Sequence, residues 1–213
     1  MNIKIVNSNE SGIEQAIITL RNGGVTILPT ENVYGFFVNG QFENSVERVY
    51  QIKHRDINKP MVLFVTKDSA EQYAFLNPSA EKIIEHCWPA PVSIVLKKRK
   101  NVSDIITRGL DTVAMMQLSS AVIDRVCRIV EGPICGTTCN YSGEPEIKKS
   151  SVAVELFEKD VDLIVEGDEL LSFGKPSTIV DLSGSTPKVL RVGAFPVDRL
   201  REDYLPSLIN ELL

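Results

Sequence analysis

The fold is constrained most by residues 23–60, which read GGVTILPTENVYGFFVNGQFENSVERVYQIKHRDINKP. The apolar run at 25–28 predicts a short strand that Pro29 ends, because proline cannot donate to a central ladder. The run at 34–38 predicts a second strand, in which Gly35 leaves room for close approach of a ligand or another backbone. Apolar residues at 46, 49, 50 and 52 then predict a helix over about 44–53.

Lys53 and Arg55 stand at the end of that predicted helix. Cations in this position can point together into the space in front of the strand ends, where open α/β sheets bind anions. They can equally complement the helix dipole without binding any ligand. The spacing by itself leaves both interpretations open.

The remaining patterns predict an alternation of short strands and helices. Strands are predicted at 3–6, 61–65, 92–96, 112–116, 134–138, 161–165, 177–181 and 189–191, and helices at 13–20, 69–75, 78–87, 120–130 and 152–157. Ser11 and Glu14 have the spacing of a capping box for the first helix. The near-continuous apolar run at 61–65 predicts a strand covered on both faces. The polar turn at 138–143 follows a strand, where an α/β sheet places a nucleotide.

Length and composition fit one globular domain. The chain has 213 residues, 43% hydrophobic and 24% charged, with a net charge of -5. This charge argues against nucleic acid binding over the whole surface, although a local basic groove can lie on an acidic body. We expect a single domain over 1–213, with a core at about 12–195 and a tail at 198–213 that packs on it as one or two short helices.

No targeting or metal signature is evident. The apolar runs are of strand length, so no membrane span is expected, and residues 1–4 do not open a signal peptide; we expect a cytoplasmic protein. The four cysteines lack C-x-x-C spacing and the chain has only two histidines. Reduced, mostly buried thiols without a structural metal are therefore expected.

Seven polar residues form the inventory of candidate site residues. They are Lys53, Arg55, Lys59, Thr138, Asn140, Ser177 and Arg191. Cations, hydroxyls and an amide without a nucleophile and base suit the holding of phosphates in phosphoryl or nucleotidyl transfer. Neither a P-loop nor a G-x-G-x-x-G motif is present. Asp111 and Asp181 could each help to hold Mg²⁺ on ATP phosphates.

Two further features leave alternatives open. The basic run at 97–100 can contact an RNA backbone, although such a run is more often a solvated strand end. Trp88, between the helix predicted at 78–87 and Pro89, is as consistent with a packing anchor as with a ligand contact.

Seven short motifs, in order, resemble those of the YrdC-like family, the threonylcarbamoyl-AMP synthases. They are PTENVYG at 29–35, KHR at 53–55, KP at 59–60, WPAP at 88–91, TCNYSG at 138–143, PSTIVD at 176–181 and LRVG at 190–193. The resemblance covers about residues 12–195. It implies an α/β fold with a twisted mixed sheet, flanking helices and a concave basic cleft.

The resemblance also implies an activity. Family members combine L-threonine, bicarbonate and ATP, with Mg²⁺, into threonylcarbamoyl-adenylate and pyrophosphate. The adenylate is the activated intermediate for modifying adenosine 37 of tRNAs that read ANN codons. Implied partners are these small molecules, tRNA or double-stranded RNA, and downstream tRNA-modification proteins, with no membrane.

The resemblance assigns three sets of site residues. The catalytic set is Lys53, Arg55, Thr138 and Asn140; the nucleotide-binding set is Arg55, Lys59, Thr138 and Arg191; and the substrate-binding set is Thr30, Tyr34 and Ser177. No protein ligand for a metal is assigned.

Two positions depart from the family pattern. The arginine of V-R-V-P is Met116 here, and the second threonine of PTET is Asn32. In the family both positions belong to the amino-acid subsite, and the arginine is the natural partner of the threonine carboxylate. A buried carboxylate without such a partner loses about 2–5 kcal/mol.

Three interpretations follow. The first is a threonylcarbamoyl-AMP synthase with an altered acceptor pocket, and the second is a paralogue that acts on another small amine or uses another carbamoyl donor. The third is a non-catalytic module that binds double-stranded RNA or tRNA. The acidic net charge and the lack of interleaved aromatic residues weigh against the third.

Overall fold

The computed structural model describes residues 3–209. Ten strands alternate with helices. The strands are β1 (Lys4–Asn7), β2 (Thr26–Leu28), β3 (Gly35–Asn39), β4 (Val62–Phe64), β5 (Val92–Lys97), β6 (Thr112–Met116), β7 (Ile134–Thr138), β8 (Leu163–Glu166), β9 (Thr178–Asp181) and β10 (Lys188–Arg191). The α-helices are α1 (Glu10–Arg21), α2 (Glu43–Lys53), α3 (Pro78–His86), α4 (Asp104–Thr107), α5 (Ala121–Ile129), α6 (Ser150–Phe157) and α7 (Val197–Arg199).

All ten strands form one mixed sheet in the order β1-β8-β2-β3-β7-β4-β6-β5-β9-β10. Four neighbouring pairs are parallel, namely β1/β8, β2/β8, β4/β6 and β5/β9, and the others are antiparallel. The predicted mixed sheet with flanking helices is confirmed. The concave basic surface stays a prediction.

Helices cover both faces of the sheet. Apolar residues of α1 and α5 pack against Leu28, Phe37 and Ile134 on one face. Helices α2, α3 and α6 contribute to a larger core on the other face, which holds Val38 and Leu63. Because side chains alternate along a strand, Phe36 and Phe37 enter opposite layers.

Three predictions about local structure are wrong, each for a physical reason. Asn9, rather than Ser11, caps α1, because its side chain accepts a hydrogen bond from the amide of Gly12 at 3.0 Å. Residues 67–72 form a 3₁₀ helix in place of the α-helix predicted at 69–75. The strand predicted at 61–65 is fully buried on one face and only partly buried on the other, because Val62 and Phe64 line an open cleft.

The end of the described chain packs on the sheet. After α7, residues 200–204 form one π-helical turn, and Leu200, Leu205 and Leu208 are buried. Ile209 pairs with Lys188 of the edge strand. The part of the predicted tail at 210–213 lies outside the described residues. Between residues 3 and 209 no helix combines the length and the apolarity needed to cross a bilayer.

Candidate functional site

A cleft of about 340 Å³ lies on the face of the sheet that carries α1 and α5. It crosses seven strands, because residues of β3, β7, β4, β6, β5, β9 and β10 line it. Seven of the nine site residues expected from the sequence line this cleft: Thr30, Tyr34, Arg55, Lys59, Thr138, Ser177 and Arg191. The other two, Lys53 and Asn140, lie behind its wall.

Two glycines and two phenylalanines form the apolar floor. The rings of Phe37 and Phe64 meet edge to face, with centroids 4.8 Å apart. A Cβ atom on Gly35 would lie 2.7 Å from the Phe37 ring, and one on Gly136 would lie 2.8 Å from the Phe64 ring. Both positions therefore need glycine, so that the rings can lie close to the strands. The close approach expected at Gly35 is made by a neighbouring ring.

Arg55 is aimed into the cleft by the end of α2. His54 adopts a left-handed conformation with φ 49° and ends the helix, which turns the next residue toward the sheet. The Arg55 guanidinium donates to the carbonyls of Lys59 and Pro60 at 3.0 and 2.9 Å. The Tyr50 hydroxyl donates to the same Lys59 carbonyl at 2.7 Å. Residues 55–60 are thus closed into a loop that presents Arg55 and Lys59 together.

Arg191 belongs to a chain of polar contacts that runs across the sheet from β10 to β6. Its guanidinium donates to the carbonyl of Ser177 at 3.0 Å and to the Ser177 hydroxyl at 3.1 Å. The hydroxyls of Ser177 and Ser93 are 2.9 Å apart, and Ser93 donates to the Met116 sulfur at 3.3 Å. Desolvation lowers the pKa of Arg191, the negative charge of Glu146 opposes this shift, and the positive charge of Arg55 lowers the pKa further. Arg55 and Arg191 both line the cleft.

Lys53 holds the turn that follows β7. Its side chain is 2% exposed, and its ammonium donates to the carbonyls of Thr138 and Asn140 at 2.8 and 2.9 Å and to the Asn140 side-chain oxygen. Burial is the main cause that lowers its pKa to about 8, and Arg55 contributes second. Lys53 is still mainly charged at neutral pH. Lys53 itself does not line the cleft, but its hydrogen bonds position Thr138, which does.

The hydroxyls of Thr30 and Tyr34 make hydrogen bonds to other residues of the protein. The Thr30 hydroxyl donates to the Val33 carbonyl at 2.7 Å and accepts from the amides of Asn32 and Val33. The Tyr34 hydroxyl donates to Asp168 at 2.8 Å, and burial raises its pKa. Both residues shape the cleft wall, and their hydroxyls already have protein partners.

Glu31 is a buried carboxylate that sequence reasoning missed. It is 6% exposed, and neither of its oxygens accepts a hydrogen bond of good geometry, although the amides of Ser119 and Ser120 lie close enough to affect it. Burial raises its pKa to about 7, against the opposing effect of the amides of Ser119 and Ser120 at the start of α5. The only sequence signal was its position inside the PTENVYG motif.

Replacing Glu31 with glutamine is expected to stabilise the protein above pH 7. The folded-state pKa is raised, so below about pH 4.5 the carboxyl is protonated in both states and burial carries no ionisation cost. Between pH 4.5 and about 7 the carboxyl ionises in the unfolded state but stays protonated in the folded state, so the cost of burying it grows over this window and reaches ~3 kcal/mol above pH 7. Urea unfolding of wild type and Glu31→Gln at pH 5 and pH 8.5 measures this difference. Glu81→Gln, at an exposed site, is the control, and an equal effect of both variants at both pH values would refute the prediction.

The basic run at 97–100 is mostly paired. Lys97 contacts Asp111, Lys98 contacts Asp104, and Arg99 contacts Glu71 at 3.4 Å. These pairs favour the interpretation of a solvated strand end over that of an RNA contact. RNA binding stays a prediction.

Three other expected residues lie outside the cleft wall. Trp88 is 2% exposed and donates to the Val92 carbonyl at 2.8 Å, as a packing anchor does. Asp111 pairs with Lys97, and Asp181 accepts from Ser183 at 2.6 Å. Within residues 3–209 no three His, Cys, Asp or Glu side chains form a metal-binding group. The Mg²⁺ contribution of either aspartate therefore has no support from its position.

Comparison with known proteins identifies the class. The fold and site define a mixed α/β protein whose cleft is lined by three cationic residues from distant parts of the chain. The model of the Sua5/YciO/YrdC family, described as "Telomere recombination", matches residues 19–193. The chain belongs to this family.

Two curated relatives carry the same name. A threonylcarbamoyl-AMP synthase of Pyrococcus abyssi is 32% identical over 187 residues, which are 86% of this chain and 54% of the relative. A threonylcarbamoyl-AMP synthase of Pseudomonas putida (strain KT2440) is 30% identical over 185 residues, which are 85% of this chain and 97% of that protein. The chain thus spans about half the length of the first relative and almost all of the second.

A solved structure supports the fold. The crystal structure of P. abyssi Sua5 complexed with L-threonine matches with a TM-score of 0.87 and 29% identity, over 98% of this chain and 63% of that chain. That relative binds an amino acid.

Proposed function

We propose that this protein is a nucleotidyltransferase that forms a carbamoyl-adenylate from ATP, bicarbonate and a small amine, with L-threonine as the first candidate. One observation carries the proposal. Arg55, Lys59 and Arg191 are far apart in sequence and line one cleft, together with the hydroxyl-bearing Thr138 and Ser177. Converging cations suit a triphosphate.

The reaction proceeds in two balanced steps. The amine attacks bicarbonate, a C–N bond forms and water leaves, which gives a carbamate. A carbamate oxygen then attacks the α-phosphorus of ATP, the bond from that phosphorus to the bridging oxygen breaks, and pyrophosphate leaves. Two anions must meet in the second step, so cations that neutralise and align them lower its barrier. Mg²⁺ enters with ATP as part of the substrate and supplies further charge neutralisation.

The relatives support L-threonine as the amine and threonylcarbamoyl-AMP as the product. Curated relatives are named threonylcarbamoyl-AMP synthase, and the P. abyssi Sua5 structure holds L-threonine. A role in modifying adenosine 37 of tRNA, with downstream tRNA-modification proteins as partners, belongs to the same proposal, as does a cytoplasmic location.

Pyrophosphate release tests the proposal directly. We expect release from ATP that requires bicarbonate and L-threonine together, and calorimetry should show tighter ATP binding in the presence of L-threonine. Each reactant is omitted in turn as the control. A protein that binds no ATP in either condition would overturn the proposal.

Met116 favours a second candidate, the same chemistry with a different acceptor amine. Met116 lines the cleft, and its sulfur accepts a hydrogen bond from Ser93. A thioether offers a substrate carboxylate no charge and no donor. Pyrophosphate release with a panel of amines in place of L-threonine distinguishes the two candidates, because turnover by another amine but not by L-threonine supports the second.

A further inference from the structure

A ring stack joins two polar segments of the cleft wall. His54, which directly precedes Arg55, places its imidazole against the Tyr141 ring, with centroids 5.2 Å apart and an angle of 20° between the planes. Tyr141 belongs to the turn that follows β7, and its ring also contacts the buried Phe157 ring, with centroids 4.9 Å apart. An exposed side chain at the end of α2 is thus tied through one aromatic ring to the core.

The backbone conformation of His54 gives this contact its meaning. His54 has φ 49° and ψ 43°, a left-handed conformation that glycine adopts at no steric cost and that other residues adopt uncommonly. The next amide, that of Arg55, donates to the Tyr50 carbonyl at 2.9 Å and closes the helix end. Glycine would serve this cap best, so the imidazole is explained by its contact with Tyr141 rather than by capping.

The stack adds a side-chain link between the loop that carries Arg55 and the turn that carries Thr138. The Ser142 amide donates to the Lys53 carbonyl at 2.9 Å, so the backbones of the two segments already touch. The Arg55 guanidinium donates to carbonyls of its own loop, and these bonds do not hold that loop against the turn. A ligand that contacts Arg55 and Thr138 needs both segments at a fixed separation, and fixing it before binding lowers the cost of ordering.

We propose that His54 and Tyr141 are positioning residues, whose stacked rings hold Arg55 in a fixed position relative to Thr138 for the phosphates of ATP. Neither ring lines the cleft, so both act through Arg55 and not on the substrate. The inference rests on the proposed function and deepens it, because it names what orders the nucleotide side of the site. It requires a flat ring at both positions, whereas the imidazole nitrogens and the phenol hydroxyl are dispensable.

Substitutions at position 54 separate positioning from helix capping. His54→Gly removes the ring and suits the left-handed backbone, whereas His54→Phe keeps a flat ring on the same backbone. We expect His54→Gly to raise the dissociation constant of ATP by about 3- to 10-fold while Tm falls by no more than about 3 °C. His54→Phe should stay within about 2-fold of the wild-type constant. Titration calorimetry and differential scanning calorimetry measure the two quantities.

A double-mutant cycle tests whether the two rings act as one unit. Tyr141→Leu keeps apolar volume against Phe157 but removes the flat ring, and we expect it to raise the dissociation constant of ATP by a similar factor. Adding His54→Gly to Tyr141→Leu should then change the constant by less than about 2-fold, because the stack is already lost. Phe75→Ala is the matched control, because it removes an exposed aromatic ring that does not line the cleft.

The results for ATP binding decide between the possible outcomes. A wild-type dissociation constant in His54→Gly, or independent effects of the two substitutions in the double mutant, would overturn the inference while the proposed function stands. If Tyr141→Leu does not fold, the comparison of His54→Gly with His54→Phe decides, and equal losses in both would overturn the inference. Wild-type protein that binds no ATP would overturn both the inference and the proposed function.

Discussion

Replacing Lys53 with methionine is expected to destabilise the protein by about 3–5 kcal/mol, equivalent to a fall of roughly 10 °C in Tm. The Lys53 ammonium is buried and donates to oxygens of Thr138 and Asn140. Methionine keeps most of the side-chain volume but leaves these oxygens without their donor. A buried acceptor that loses its partner pays the full desolvation penalty.

The same substitution should weaken ATP binding, although Lys53 does not line the cleft. Thr138 lies at the cleft and Asn140 lies behind it, and both depend on the same ammonium for their position. Differential scanning calorimetry gives the Tm, and titration calorimetry gives the ATP affinity. Lys82→Met, at an exposed position of α3, is the matched control. If both variants unfold at the same temperature, Lys53 does not stabilise the turn as described.

Replacing Arg191 with alanine is expected to raise the dissociation constant of ATP by about 10- to 100-fold with little loss of stability. Arg191 is held by the carbonyl and the hydroxyl of Ser177, and it lines the same cleft as Arg55. Arg191 is an exposed residue at the end of β10, so a ligand in the cleft can reach its guanidinium.

Arg191→Lys distinguishes charge from geometry. Lysine keeps the charge but cannot make the paired contact with Ser177, so we expect an intermediate affinity. Arg128→Ala removes the same charge from the exposed surface of α5 and serves as the control. ATP affinities that agree between Arg191→Ala and Arg128→Ala would contradict the nucleotide role of Arg191. Titration calorimetry at two salt concentrations also measures how much of the ATP affinity is electrostatic.

Much of the fold is legible in the sequence, because its apolar runs have strand length and its helices have clear ends. The strand at 112–116 and the strand at 134–138 were predicted with the boundaries observed in the structure. The helix predicted from residue 78 begins at Pro78, and the Asn77 side chain caps it by accepting from the amide of Ala80 at 2.9 Å. These features depend on local propensity and capping, which a sequence carries directly.

The sequence predicted only part of the candidate site. Motif positions pointed to Arg55, Lys59 and Arg191, and all three line the cleft. Ser93 was missed, although a serine inside the apolar run VSIVL is a weak signal of a polar contact. The positioning role of Lys53 was also missed, because spacing along the chain does not reveal which way a cation at a helix end turns.

The sequence by itself determined the α/β class, most element boundaries and the set of cationic residues, since these follow from periodicity, caps and motifs over short distances. Only the tertiary structure decided which cations face the cleft, that Lys53 is buried behind the turn, and that Glu31 and Asn32 keep side-chain oxygens without a hydrogen bond of good geometry. The reason is that hydrogen-bond partners such as Lys53 and Asn140 are 87 residues apart, and burial depends on every element that packs around them.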